Sequence, residues 1–202
     1  YPTKTQERLL EQTLDECRWL YNHLLEQRKG AWEGSQRTLA FNEQCATLPQ
    51  LKRERGSLNL VHSQVLQNVG LRIDLAFKDF FRRVKSGEVA GYPRFRGANR
   101  YDSFTYPQAP SGCKLVGKWL HLTRIGSVRV VQHRPLGGVA KTVTITRSRT
   151  GKWYAAFSCE WEPTPLPKVE AQTGIDVGLT SFATFSSGEK IENPHFFRKE
   201  EK

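Results

Sequence analysis

The first residue with chemistry to offer is Asp176, in the run Gly174-Ile175-Asp176-Val177-Gly178-Leu179-Thr180. An acid near the end of an apolar strand, followed by a tight glycine turn, is a good place for a hard-metal ligand. Carboxylate oxygens suit Mg²⁺ or Mn²⁺. A phosphodiester-cleaving site that holds two metals about 4 Å apart needs more than one carboxylate. After Asp176 the sequence offers only Glu189 and Glu192 before the terminal Glu200 and Glu201, and neither of the first two sits on a convincing neighbouring strand. Two readings of Asp176 stay open, a metal ligand and a turn-forming acid. The five histidines (His23, His62, His121, His133, His195) show no metal-ligand spacing. Cys17, Cys45, Cys113 and Cys159 form no Cys-x-x-Cys pair, so neither zinc nor a disulfide scaffold is expected, and reduced thiols point to the cytoplasm. Nucleophile elbow, Walker loop and dinucleotide fingerprint are all missing.

The second chemistry is cationic. From Ser103 to Cys159 there are nine basic residues and no acid: Lys114, Lys118, Arg124, Arg129, Arg134, Lys141, Arg147, Arg149 and Lys152. An ordinary soluble sheet mixes both signs to limit self-repulsion. An acid-free one is explained when phosphates supply the counter-charge. The whole chain has a formal charge of +11, which favours a polyanionic partner. Anionic membranes attract basic residues too, but no apolar run approaches the roughly 20 residues that span a bilayer. Phe104, Tyr106, Trp119, Trp153, Tyr154 and Phe157 lie among the cations. They suit either a small core or a strand surface that stacks bases. The loop Tyr92-Pro93-Arg94-Phe95-Arg96-Gly97-Ala98-Asn99-Arg100 adds three arginines, whose planar forks suit phosphate or base contacts. Lys78, Arg82, Arg83 and Lys85 end a helical pattern. They read as a solvated helix end, favourable to the dipole, or as further contacts.

These residues need scaffolding. Thr3 with Gln6 fits a capping box, and Leu10, Leu14, Cys17, Tyr21 and Leu24 keep helical spacing toward an end near Gly30 and Gly34. A shorter helix is expected over 38–48, stopped by Pro49. The clearest helical stripe is Val61, Val65, Val69, Ile73, Ala76, Phe80, Val84, with Phe77, Phe80 and Phe81 read as core. From Gly87 the character changes to short alternating runs at 103–106, 114–116, 119–122, 128–131, 142–147 and 153–159. The last two flank the hairpin loop Ser148-Arg149-Thr150-Gly151. Six short strands predict a small antiparallel barrel or sandwich. Pro163, Pro165 and Pro167 form a stiff linker, beyond which 172–177 and 181–186 read as strands.

The order of these features resembles one family. Tyr1-Pro2-Thr3 with Gln6, Arg18-x-x-Tyr21-Asn22, Leu66-Gln67 with Ala76-Phe77-x-x-Phe80-Phe81, Pro93-Arg94-Phe95 before Ser103-Phe104, Ile125-Gly126, the Lys141 to Ala155 hairpin and Gly174-Ile175-Asp176-Val177-Gly178-Leu179 together look like TnpB. This is the transposon-encoded RNA-guided DNA endonuclease, also called an OrfB-type transposase and related to the type V CRISPR effectors. The resemblance covers nearly the whole chain. It implies an α+β fold: a helical recognition bundle (3–86) inserted in a wedge-like antiparallel β-barrel (87–165, with residues 1–2 ending its first strand), then the first strands of a ribonuclease-H-like RuvC domain (170–202). It implies a guide RNA and target double-stranded DNA as partners, where pairing reads most of the sequence and protein reads a short flank. By the same resemblance Ser63, Gln64 and Gln67 face that flank, and Asp176 is the first of three carboxylates for Mg²⁺.

On this reading Arg82, Arg83, Arg94, Arg96, Arg100, Lys114, Arg124, Arg147, Arg149 and Lys152 contact nucleic acid. A complete family member continues with a catalytic Glu, a Cys-x-x-Cys zinc ribbon and a final Asp. The sequence therefore reads as a front portion, expected to bind partially and not to cut. The expected setting is the bacterial or archaeal cytoplasm, at the nucleoid. The alternatives are a nuclease-dead RNA-guided repressor and an unguided DNA-binding module.

Overall fold

Thr3 accepts the backbone N–H of Gln6 at 3.3 Å while the Gln6 side chain accepts that of Thr3 at 3.0 Å, so the predicted capping box starts the first helix. In the computed structural model, which describes residues 1–163, 165 and 172–195, this helix α1 runs Lys4–Ser35. It ends one residue past Gly34, close to the expected end, but not through a glycine cap. Gly30 and Gly34 both lie inside the helix, and Gln36 takes the left-handed conformation (φ 54°). The carbonyls of Trp32 and Ala31 accept the N–H groups of Gln36 and Arg37, which closes the helix without a glycine.

Helix α2 is Phe41–Glu54, longer than the expected 38–48, with Pro49 inside it. Proline removes one backbone donor. Here the helix continues because Leu48 and Leu51 on either side of Pro49 are both buried in the core. At its start Ala40 has no side-chain oxygen, and the Glu43 carboxylate accepts the Ala40 N–H at 2.8 Å instead. A short 3₁₀ turn at Gly56–Leu60 leads into α3, Ser63–Lys85. The apolar stripe of α3 is buried through Val65, Val69 and Ile73, then emerges, and Val84 is 51% exposed.

After the arginine loop come β1 (Ser103–Tyr106), the four-residue α4 (Ala109–Gly112), β2 (Cys113–Val116), β3 (Trp119–Leu122), β4 (Gly126–Arg129), β5 (Val139–Arg147) and β6 (Trp153–Glu160). The six predicted strands exist, but no barrel closes among the described residues. The strands form two antiparallel sheets, β1-β5-β6 and β2-β3-β4. At β4 the Ser127 carbonyl accepts the Gln6 amide at 2.7 Å, which ties the start of α1 to this strand. The sheets meet the helices through side chains in one continuous core. Leu10, Leu20, Leu66 and Ile73 from the helices join Phe104, Tyr106, Leu120 and Val143 from the strands.

The chain divides into two compact units, Tyr1–Glu162 and Pro163–Lys202. In the second, β7 (Ile175–Asp176), β8 (Ser181–Phe185) and β9 (Lys190–Glu192) form an antiparallel sheet, with β8 central. β9 has no counterpart in the sequence reading. Pro167, Glu200, Glu201 and the charged tail 198–202 lie outside the described residues. The four cysteines are free, and burial pushes the Cys17 and Cys113 thiols up to about 12, so both stay protonated.

Candidate nucleic-acid interface

The motif Arg18-x-x-Tyr21-Asn22 builds the arginine loop. Three-residue spacing on α1 places Tyr21 in the core and leaves Asn22 at its rim. The Asn22 amide donates to the Arg96 carbonyl at 2.9 Å and accepts the Arg96 N–H at 2.8 Å, a two-way clamp on one residue of the loop. The Arg96 guanidinium lies over the Tyr21 ring, 5.7 Å from its centre. Arg94, Arg96 and Arg100 are exposed. Among the described residues none of the three joins an ion pair. Arg96 is therefore held in place, and the charges of all three arginines are left unneutralised, as a polyanion site needs. Asn22 and Tyr21 were not among the expected contact residues; the spacing of their motif was the available signal.

Other predicted positions divide. Arg82 pairs with Asp79 at 2.8 Å and Arg83 with Glu88 at 3.1 Å, so both are neutralised locally. Arg147 reaches Glu11 of α1 at 3.3 Å. Lys114 is exposed on β2, and Arg149 and Lys152 stand exposed at the β5–β6 turn, where the Lys152 N–H is fixed on Ser148 Oγ at 3.0 Å. Arg124 is exposed in the β3–β4 turn with φ 76°.

At the start of α3 the three expected positions share one helix face, but only two are tied down. Ser63 Oγ accepts from Lys52 Nζ at 2.8 Å, Gln64 donates to Gln108 Oε1 at 2.6 Å, and Gln67 is exposed. Phe104 and Tyr106 are core, whereas Trp119 and Tyr154 are half exposed and available for stacking. At the other end of α3, Phe77 and Phe80 pack edge-on against Tyr92 at 5.5 and 5.4 Å, and Phe81 is half exposed. Of that cluster, read from sequence as core, Phe77 does pack against the core, and with Phe80 it also pins the beginning of the arginine loop.

A groove of about 730 Å³ runs along α1 past Arg8, Trp19, Asn22, His23 and Arg55. Trp19 stacks on His23 at 5.0 Å, and Arg55 covers Trp19 at 4.5 Å while making a two-point ion pair with the buried Glu16. These contacts are satisfied within the protein and brace α1 against the turn after α2.

Asp176 ends β7, exposed, with Thr184 opposite it on β8. Thr184 in turn faces Lys190, so the residue across the sheet from Asp176 is a cation. Glu192 pairs with Ser181, roughly 10 Å further along β8 at the rise of a strand. Among the described residues no group of three His, Cys, Asp or Glu comes together. One exposed carboxylate does not fit a two-metal centre by itself. Among the described residues no helix is long and apolar enough to cross a membrane.

The family model that matches, a helix-turn-helix domain of the IS605 OrfB type, covers residues 1–37. Those residues fold as the capped start and the single helix α1. A Streptomyces pristinaespiralis protein provisionally named RNA-guided DNA endonuclease is 33% identical over 99% of this chain and 50% of its own length. An Escherichia coli K12 protein provisionally named RNA-guided DNA endonuclease InsQ is 31% identical over 92% of this chain and 45% of its own length. The chain thus spans about half the length of the curated relatives it matches. The chain is thus similar to proteins of the TnpB/OrfB type, through the helix-turn-helix match at its start and through similarity that runs along both units.

Proposed function

We propose that this chain supplies nucleic-acid binding to an RNA-guided DNA endonuclease of an insertion-sequence transposon. The observation that carries this is the loop of Arg94, Arg96 and Arg100, clamped by Asn22 and left without acidic partners. A loop so held loses little freedom when phosphates arrive, so more of its Coulomb attraction appears as affinity. In this reading the helices and the two open sheets act as recognition bundle and wedge, holding the guide RNA and its duplex with target DNA. Ser63, Gln64 and Gln67 face the flank of the target, and residues 170–202 begin a RuvC-type nuclease domain. The exposed Lys114, Arg124, Arg149 and Lys152 extend the contact along backbone phosphates. Arg82, Arg83 and Arg147 must give up carboxylate partners to join, so their share is smaller. Asp176 contributes one carboxylate to a divalent-cation site whose other ligands lie outside the described residues. The cell compartment of this reading is the cytoplasm.

The test is purification from the host and sequencing of bound RNA. A defined RNA species is expected, and protein free of RNA would count against guidance. Reversing Arg94, Arg96 and Arg100 to Glu should weaken RNA and DNA binding and flatten its salt dependence, by about 0.9 in slope for each phosphate no longer neutralised. An unchanged slope would remove the loop from the interface. Asp176→Ala in the full-length protein should abolish cleavage and spare binding. Wild-type protein that binds guide and target yet never cuts would favour the repressor-like reading.

A further inference from the structure

Lys52 of α2, His62 just before α3, and Arg124 in the β3–β4 turn come from three elements, and the Arg124 charge is felt at both Lys52 and His62. Lys52 Nζ reaches across to Ser63 Oγ at 2.8 Å. The His62 ring packs beside Tyr106, centroids 5.7 Å apart, and so tightly against Gly112 that an added Cβ would lie 3.2 Å from Cε1. The Gly112 carbonyl accepts the Thr123 N–H at 3.0 Å, and the Thr123 carbonyl accepts the Tyr106 hydroxyl at 3.0 Å. The turn bearing Arg124 is thereby pinned to the same wall as His62.

No acid balances this cluster. Among the described residues, none of Lys52, His62 and Arg124 belongs to an ion pair. Burial and then the Arg124 charge hold Lys52 below the ordinary lysine value. Burial, Arg124 and Lys52, in that order, hold His62 below the ordinary histidine value. The other titratable group against His62 is Tyr106, whose phenol burial pushes up and keeps neutral. His62 Nδ1 is buried with no hydrogen-bond partner. Arg124 also holds φ 76°, a left-handed conformation costly to a long side chain and typical of residues retained for function.

We propose that Lys52, His62 and Arg124 form a cradle for one backbone phosphate of a bound nucleic acid, with Lys52 and Arg124 supplying charge and the His62 ring a hydrogen bond. This rests on the reading that the chain binds nucleic acid. A phosphodiester offers two non-bridging oxygens that share one charge, which suits donors arriving from three directions. Such a contact fixes the register of the duplex and reads no base. It also stands beside Ser63 and Gln64, so a phosphate seated here sets how the neighbouring base pairs meet α3.

The test uses the 202-residue chain with Lys52→Gln and Arg124→Gly variants. Binding to a fluorescent DNA duplex and to an RNA duplex of equal length is followed at several salt concentrations. In parallel, inorganic phosphate is titrated while the His62 ring resonances are observed. Each variant should weaken binding several-fold and lower the salt slope by about 0.9. Arg124→Gly should at the same time raise the melting temperature, because glycine tolerates the left-handed turn. Phosphate should shift the His62 signals in wild type and much less in either variant. Weakening on DNA alone assigns the phosphate to the target flank; weakening on both assigns it to phosphodiesters generally. Unchanged slopes with silent His62 signals overturn the cradle and leave nucleic-acid binding elsewhere intact. A His62 response to phosphate in a chain that binds neither duplex keeps the cradle and overturns the functional reading.

Discussion

The two units of this chain solve opposite problems. The first, Tyr1–Glu162, buries leucines, valines and aromatic rings from its helices and two sheets in one core, and keeps most of its cations outside, Arg28 being the buried exception. The second has a described sheet in which Ala183 is the buried apolar residue, while Leu179 is 90% exposed and Val177 68%. Three short strands without a covered face have little stability of their own. The binding residues therefore stand on a rigid platform, and Asp176 stands on a sheet whose apolar side chains face water. A site on rigid elements keeps its geometry, so the first unit is equipped to bind. The carboxylate stands exposed among the described residues.

That contrast can be tested by mutation, beginning with the platform. Phe104→Ala should lower unfolding free energy by about 3–5 kcal/mol, measured by denaturant titration; a change below about 1 kcal/mol would mean the core is less unified than its packing implies. Asp74→Ala comes next. Asp74 accepts from Arg28 at 3.1 Å and from Lys78 at 2.9 Å, and Arg28 is 7% exposed. Removing the acid leaves Arg28 buried without its counter-charge, though still donating to Gln44 Oε1 at 2.6 Å, a destabilisation of about 2–3 kcal/mol.

The pH dependence of the Asp74 contribution has a definite sign. Burial raises the Asp74 pKa, but the hydrogen bonds and charges of Lys78 and Arg28 outweigh it, leaving the pKa below the ordinary 3.8. Stability from this group is thus fully present above 3.8 and is lost as the pH falls through the lower folded value. The gap between wild type and variant should close in acid, and a gap that widens there would refute the pairing.

Two smaller effects follow. Asn22→Ala should cost about 1 kcal/mol in stability, the worth of its hydrogen bonds to Arg96, and should weaken RNA binding by freeing the loop. Phe182→Ala, at 52% exposure on β8, should change the stability of this chain by less than about 0.5 kcal/mol. A large destabilisation there would show that the second sheet packs against something and would erase the contrast.

Local chemistry was legible in the sequence. The Thr3–Gln6 capping box, the 119–122 strand and the Ser148 hairpin turn depend on neighbours a few residues away, and they appear as expected. What failed depended on distant partners. Pro49 looked like a stop, and it is not one because Leu48 and Leu51 are buried. Arg147 looked free, yet Glu11 of α1 claims it; the Arg82–Asp79 pair is by contrast local, three residues apart, and was open to reading from the sequence. The expected barrel is two open sheets, since whether strands close into a ring depends on which edges meet, and alternation along each strand does not encode that. Lys52 and His62 carried no motif at all, and only the fold brings them beside Arg124.

The two-way clamp of Asn22 on Arg96 makes a forecast for saturation mutagenesis. Position 22 lies at the rim of a helix that buries Leu20, Leu24 and Leu25, so a screen for abundance would score it as more tolerant than those leucines. If the proposed function holds, a screen for RNA retention would score it as intolerant. The divergence between the two maps, at one residue on an otherwise structural helix, would trace the boundary where scaffold ends and recognition begins.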